Sequence, residues 1–252
     1  MSIEGNVEYA LTRVQSQYGN RPNTSEWQRL EASHDLGQYL EAARSSIFGS
    51  WISSLDRSRE AHVIERTLRG AWRNYVRSVA AWHPRLWQPW LSWLEWLPTL
   101  GLMVWLERAG PVPAWLLTDP ILGPAARGAS AERPVVVKGT ALAIFEPAIA
   151  GRVRLAELWL ARWWELRPPV DAFTEQLLAA VSKAVQEHAR MLALEGADGV
   201  VLRDQLRGRL NQLFRAAAGT LVATLCHLAL MALDYERLRG GLVNRSLFAG
   251  GK

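Results

Sequence analysis

Cysteine is almost missing from this chain. Cys226 stands alone among 252 residues, which excludes an internal disulfide and any zinc cage built from thiolates. Lysine is nearly as scarce: Lys138, Lys183 and Lys252 are the lysines among 29 basic residues. The net charge of +5 is therefore an arginine charge, and arginine's planar fork favours paired contacts with carboxylate or phosphate. Long apolar runs are also lacking. The longest, 216–233, contains Gly219, two threonines and His227. A membrane-spanning helix needs about 20 predominantly apolar residues, so this run is expected to be a buried core helix. The polar, acidic start, Met1 to Glu8, does not resemble a secretory leader. A cytoplasmic protein, at most peripheral to the inner membrane, is the expectation.

Signatures of catalysis are missing too. His34, His62, His83, His188 and His227 are scattered, and none pairs with another at i+3 or i+4. There is no phosphate loop, no dinucleotide-binding glycine motif and no nucleophile elbow. No enzyme, cofactor or metal is expected. His227 follows Cys226 directly, and neighbours on a helix diverge by about 100°. A satisfied buried histidine is expected there, not a Cys–His pair. Asp234 and Glu236 are expected to form local ion pairs with Arg237 and Arg239.

What is present is helical periodicity. Hydrophobic residues make up 49% and charged residues 21%, the balance of a globular chain with a core. From Arg57 to His83 there is no proline and one glycine. Ile64, Leu68, Trp72, Tyr75, Val79 and Trp82 recur there at steps of three or four, the period of one buried helical face. The opposite side reads Arg59, His62, Arg66, Arg69, Arg73, Arg77, with Glu65 flanking it. Solvated helix faces usually mix both signs. A row of one sign marks Arg59, Arg66, Arg69, Arg73 and Arg77 as candidate partner-binding residues. Nucleic acid is disfavoured, because the aromatics that would stack on bases fall on the apolar faces, away from the arginines.

The rest of the chain repeats helix, breaker, helix. Asn23, Thr24 or Ser25 can cap a helix, and Ser25 to Gln28 and Asn23 to Glu26 both have capping-box spacing; Leu36, Tyr39, Leu40 and Ala43 share a helical face. Trp87, Trp90, Trp93 and Trp96 recur every three residues, which predicts an enclosed helix ended or kinked at Pro98. Residues 123–150 are expected to be a loop or linker, with Val135 to Val137 extended or opening a helix. Asp171 is placed to cap a helix over 172–194. A last helical stretch is expected over 202–239, with a kink at Gly219, closed by Gly240-Gly241 and followed by a tail. The predicted fold is all-α, a multi-helix bundle or funnel of antiparallel helices with little or no sheet. The predicted organisation is an N-terminal unit 1–122, the linker 123–150 and a C-terminal unit 151–252.

Three stretches carry a resemblance. Glu8-Tyr-Ala-Leu-Thr-Arg-Val-Gln15, Trp27-Gln-Arg-Leu-Glu-Ala-Ser33 and Asp35-Leu-Gly-Gln-Tyr-Leu40 are followed by a long charged helix. In that order they resemble the start of the C/d subunits of V-type and archaeal-type rotary ATPases. The resemblance covers the N-terminal third. It implies a helical funnel without catalysis of its own, seated on the cytoplasmic end of the membrane rotor ring and receiving the central stalk. Its partners would be the stalk and ring subunits, and its role the coupling of ATP turnover to proton or ion transport. Two other readings remain open: a Trp-rich scaffold for protein–protein interaction, and a helical protein with an apolar ligand pocket.

Overall fold

The computed structural model describes residues 3–57, 60–108 and 110–248. Among the described residues there are helices and no strands, so the all-α expectation holds. In chain order the elements are α1 (Ile3–Gly19), α2 (Thr24–Glu31), α3 (Leu36–Arg44), α4 (Gly49–Ile52), α5 (Ala61–Ala81) and α6 (Gln88–Ser92). A 3-10 turn (Trp93–Trp96) leads into α7 (Leu97–Glu107), followed by α8 (Ala114–Leu117), α9 (Gly123–Ala126) and α10 (Arg133–Val137). A second 3-10 turn (Ala143–Phe145) precedes α11 (Glu146–Ile149), α12 (Leu155–Glu165), α13 (Ala172–Leu192), α14 (Gly199–Ala216) and α15 (Leu221–Phe248).

Packing divides the chain into two compact units, Met1–Leu91 with Pro168–Lys252, and Ser92–Arg167. The borders differ from the sequence division at 122 and 150. The physical reason is α15, the last helix, which packs against α1, α3, α5, α13 and α14. The two ends of the chain thus share one core. α15 is buried on nearly every side from Leu221 to Leu228, as a helix apolar all round must be.

Local signals explain the helix ends of this first unit. Asn23 caps α2: its side chain accepts from the Glu26 N–H, and the Glu26 carboxylate accepts from the Asn23 N–H. Asp35, Asp171 and Asp198 cap α3, α13 and α14 in the same sense. Gly219 has φ +82°, a conformation glycine adopts at no steric cost. It separates α14 from α15, so the expected kink is a full break. Aromatic rings fill the space beside α5, with Trp51 edge-on to both Phe48 and Trp72 and Trp72 against Tyr235.

Gly240-Gly241 does not close α15, which runs on to Phe248. The pair has a packing role instead. A Cβ at Gly241 would lie 2.6 Å from Cζ of Tyr39, a fully buried ring on α3. A Cβ at Gly240 would meet nothing within 4 Å. Alanine normally stabilises a helix interior over glycine by about 1 kcal/mol. Gly240→Ala is expected to follow that rule. Gly241→Ala is expected to invert it, losing about 1–3 kcal/mol to overpacking. Urea unfolding of the two variants side by side checks the pair.

The second unit, Ser92–Arg167, is a contiguous piece of chain around Trp93, Trp96, Met103, Leu122 and Phe145. Residues 123–150, expected as a linker, lie inside it and hold α9, α10 and α11. Proline sits in the first turn of each. There its missing N–H is not needed and its fixed φ suits the helix, so the expected loop is a run of short helices. The tryptophan-rich stretch is not one α-helix either: Trp93–Trp96 tightens into the 3-10 turn before α7, and Pro98 lies in the first turn of α7. Arg133, 3% exposed, donates to the carbonyls of Arg108 and Gly110 at 2.8 and 2.9 Å. It ties α10 to the end of α7, where carbonyls lack helical partners. Trp93 stacks on Phe145 and Trp159, and its indole N–H donates to the Trp159 carbonyl at 2.9 Å.

Candidate functional site

The arginine row lies on α5. The inner side of this helix is Ile64, Leu68, Trp72, Val76 and Val79, each 0% exposed. Val76 takes a place that the period assigned to Tyr75, which is half-buried. On the other side, Arg66 and Arg73 are half-buried and Arg77 is exposed. At 100° per residue these three stay within about 40° of one another. None of them is without an interaction inside the chain. Arg59 lies outside the described residues.

Arg69 departs from the expectation. It is 8% exposed because its place, about 60° round from Arg66, turns toward α15. There its charge acts on the hydroxyl of Tyr235, opposing the rise that burial imposes. Glu65, one helical turn before it, accepts from Arg239 Nη2 at 2.7 Å. Arg69 therefore belongs to the α5–α15 seam and not to the outward row. His62 is half-buried and lies 3.2 Å from the Glu60 carboxylate.

The second concentration of polar groups was not legible in the sequence as a set. Thr224, His227 and Asp234, each 0% exposed, follow one another at steps of three and seven along α15, so they fall on one strip. Asp234 accepts from Arg21 Nε at 2.7 Å and from Arg207 Nη1 at 2.5 Å. Those arginines come from the link after α1 and from α14. The expected partner Arg237 instead makes a two-pronged pair with Glu31 at 2.6 and 2.7 Å, while Glu236 does pair with Arg239 at 3.1 Å. His227 Nε2 lies 2.6 Å from the Tyr75 hydroxyl. Thr224 Oγ1 lies 3.1 Å from His83 Nε2. The one available sign of this strip was an acid, Asp234, closing the apolar run of α15.

Burial sets the electrostatics. It lowers the His83 pKa to about 4. His227 falls to about 3, from burial first and then from the Arg21 charge. Burial raises the Cys226 thiol to about 12, so this thiol is not a nucleophile near neutrality. Asp234 has both oxygens engaged by guanidinium groups and is not placed as a general base. The strip ties α1, α5, α14 and α15 together. Among the described residues, no group of three or more His, Cys, Asp or Glu side chains is placed to hold a metal ion, and no helix is long and apolar enough to cross a membrane.

With this geometry in view, comparison with known proteins finds no family model, no curated protein and no solved structure that matches the chain.

Proposed function

We propose that the chain is a non-catalytic helical adaptor that binds protein partners, built along the lines of the C/d subunits of rotary ATPases. In that role it sits in the cytoplasm at the end of a membrane rotor ring and receives the central stalk. The observation that carries the reading is the one-sign row Arg66, Arg73, Arg77 on the outer side of α5, a helix whose inner side is sealed in the core. Such a helix cannot shift without opening the core, so it presents its guanidinium groups from a rigid base. A fixed basic row suits an acidic partner surface, because charge complementarity sets register and encounter rate.

The experiment is co-purification of the tagged chain from its native host. Recovery with stalk and ring subunits supports the proposal. Arg66→Gln, Arg73→Gln and Arg77→Gln together should reduce that recovery severely. Arg77→Gln, at an exposed site, should change unfolding by no more than about 0.5 kcal/mol, whereas Arg66→Gln and Arg73→Gln, half-buried and engaged within the chain, should each cost more. Recovery undiminished by the triple change removes the row from the interaction.

A second reading rests on α12, where Leu160 and Trp164 are 41% and 36% exposed and Trp163 stacks parallel to Trp159. In this reading the second unit is a tryptophan-rich scaffold for a partner helix. A partner lost on Trp164→Ala and kept by the arginine variant would favour it.

A further inference from the structure

We infer that the chain forms a reversible two-fold dimer, in which the outer end of the α13–α14 hairpin packs on the same surface of a second copy, α13 antiparallel to α13. The inference concerns a different surface from the arginine row and does not depend on the adaptor reading.

The hairpin leaves the core part-way along its length. Leu178 and Val181 on α13 are buried, and so is Leu206 on α14. Between them, from Val185 to Gln205, no residue is buried. The apolar line of α13 does not stop where its cover stops. Leu178, Val185 and Leu192 follow one another at steps of seven, so each stays within about 20° of the last. Ala189 falls on the same side, about 40° from Val185. Val185 and Leu192 are 42% and 44% exposed, and Ala189 is exposed. The charged residues of this part, Lys183, Glu187 and Arg190, lie about 140–160° from Val185, on the far side. A helix face turned to water is normally polar and charged. This one is bare and carries no charge from Ser182 to Ala193.

The order of sizes along this seam selects the occupant. Val185, Ala189 and Leu192 read large, small, large, and they read the same in either direction. A second α13 laid antiparallel sets Val185 against Leu192 of the second copy. It brings the two Ala189 methyls together near the two-fold axis, where their size allows a helix separation of about 8 Å, the close end of the usual range. The same register puts the turn after α13 of each copy at the level of Lys183 of the other. That turn carries Glu195 and Asp198, and no lysine or arginine lies between Arg190 and Arg203. Unlike charges therefore meet twice, once on each side of the axis, as a self-complementary contact requires. The same two acids disfavour an anionic lipid surface as the occupant. Leu194, Val200 and Val201 continue the bare apolar surface at the turn. With Val185 and Leu192 they expose on the order of 400 Å², about the apolar half of the roughly 800 Å² per partner that a specific contact buries.

Sedimentation equilibrium of the full chain tests the association. Between about 1 and about 300 µM the mass should rise from 28.2 kDa toward twice that value, with a dissociation constant on the order of 10 µM, weak for a contact of this size. Ala189→Arg sets two like charges beside the axis and should weaken association at least about a hundredfold. Its melting temperature at the lowest concentration should match that of the unaltered chain, because the site is exposed. A second pair of variants tests the register. Ala189→Cys places two thiols within disulfide reach across the axis, whereas Lys183→Cys places them on the far side of α13. Cys226 is 0% exposed and stays out of the reaction. Mild oxidation should link Ala189→Cys chains at least about tenfold faster than Lys183→Cys chains, since a disulfide needs its Cα atoms within about 7 Å. The inference is overturned if the unaltered chain sediments as a monomer throughout the range. It is equally overturned if Ala189→Arg associates as well as the unaltered chain, or if the two cysteine variants cross-link at the same rate.

Discussion

Asp234→Ala is expected to lower the free energy of unfolding by about 3–5 kcal/mol, the cost of breaking a buried ion pair from one side. The carboxylate is 0% exposed, and the Arg21 and Arg207 side chains that meet it are 8% and 19% exposed. Removing it leaves two cationic groups in or near the core with nothing to neutralise them. The reverse truncations should cost less. Arg21→Ala leaves Asp234 with Arg207, and Arg207→Ala leaves it with Arg21, so each keeps one charge-assisted bond. For a chain of this length, about 3–5 kcal/mol corresponds to a fall in melting temperature on the order of 10 °C. Circular dichroism melts of the three variants test the order. Asp234→Ala melting no lower than Arg21→Ala would mean that the carboxylate does not hold the two arginines. Replacing the acid and both arginines with apolar residues of similar volume should cost much less than Asp234→Ala alone, because no charge is then stranded.

The second large effect is acid sensitivity between about pH 6.5 and pH 5. Burial lowers the pKa of His83 to about 4 and of His227 to about 3, whereas an unfolded histidine titrates near about 6.5. Below pH 6.5 the unfolded chain therefore takes up protons that the folded chain refuses. Stability is full above that pH and declines as pH falls toward the folded values. Each refused proton costs about 1.4 kcal/mol per pH unit, so the two rings together give a slope of about 2.7 kcal/mol per unit. Urea midpoints measured across the window should show it. His227→Gln, which keeps a polar partner for Tyr75, should halve the slope. Asp171 and Glu187 have carboxyl pKa values held down by hydrogen bonds, and their protonation adds to the loss only below this window. A flat profile from pH 6.5 to pH 5 would show that the two rings take up protons in the folded state.

How much of this was legible in the sequence follows from the range of the interactions. Helices were legible because their signals are local: the step of α5, the Asn23–Glu26 box and the Asp171 cap each act within a few residues. Residues 123–150 misled because their small, polar composition reads as a loop, and the short helices there are held by packing against residues further along. Gly240-Gly241 misled for a related reason. A glycine pair reads as a stop until Tyr39, far away in sequence, explains why one of them has no side chain. The arginine row was legible as a period but not in its exposure. Arg69 and Arg66 look alike in the chain, and only the position of α15 buries the first. The polar strip brings together residues such as Arg21 and Asp234, 213 positions apart, and no single-chain pattern encodes that meeting.

That separation also governs the order in which the molecule is made. Ser92–Arg167 is continuous in sequence and has its own core, so on a ribosome it can mature as it emerges. The first five helices cannot. They pack on one another, but the flanks that face α15, Trp72 and Tyr39 among them, close only against Leu221–Phe248. Partners so distant along the chain make for slow assembly and a long exposure of sticky intermediates.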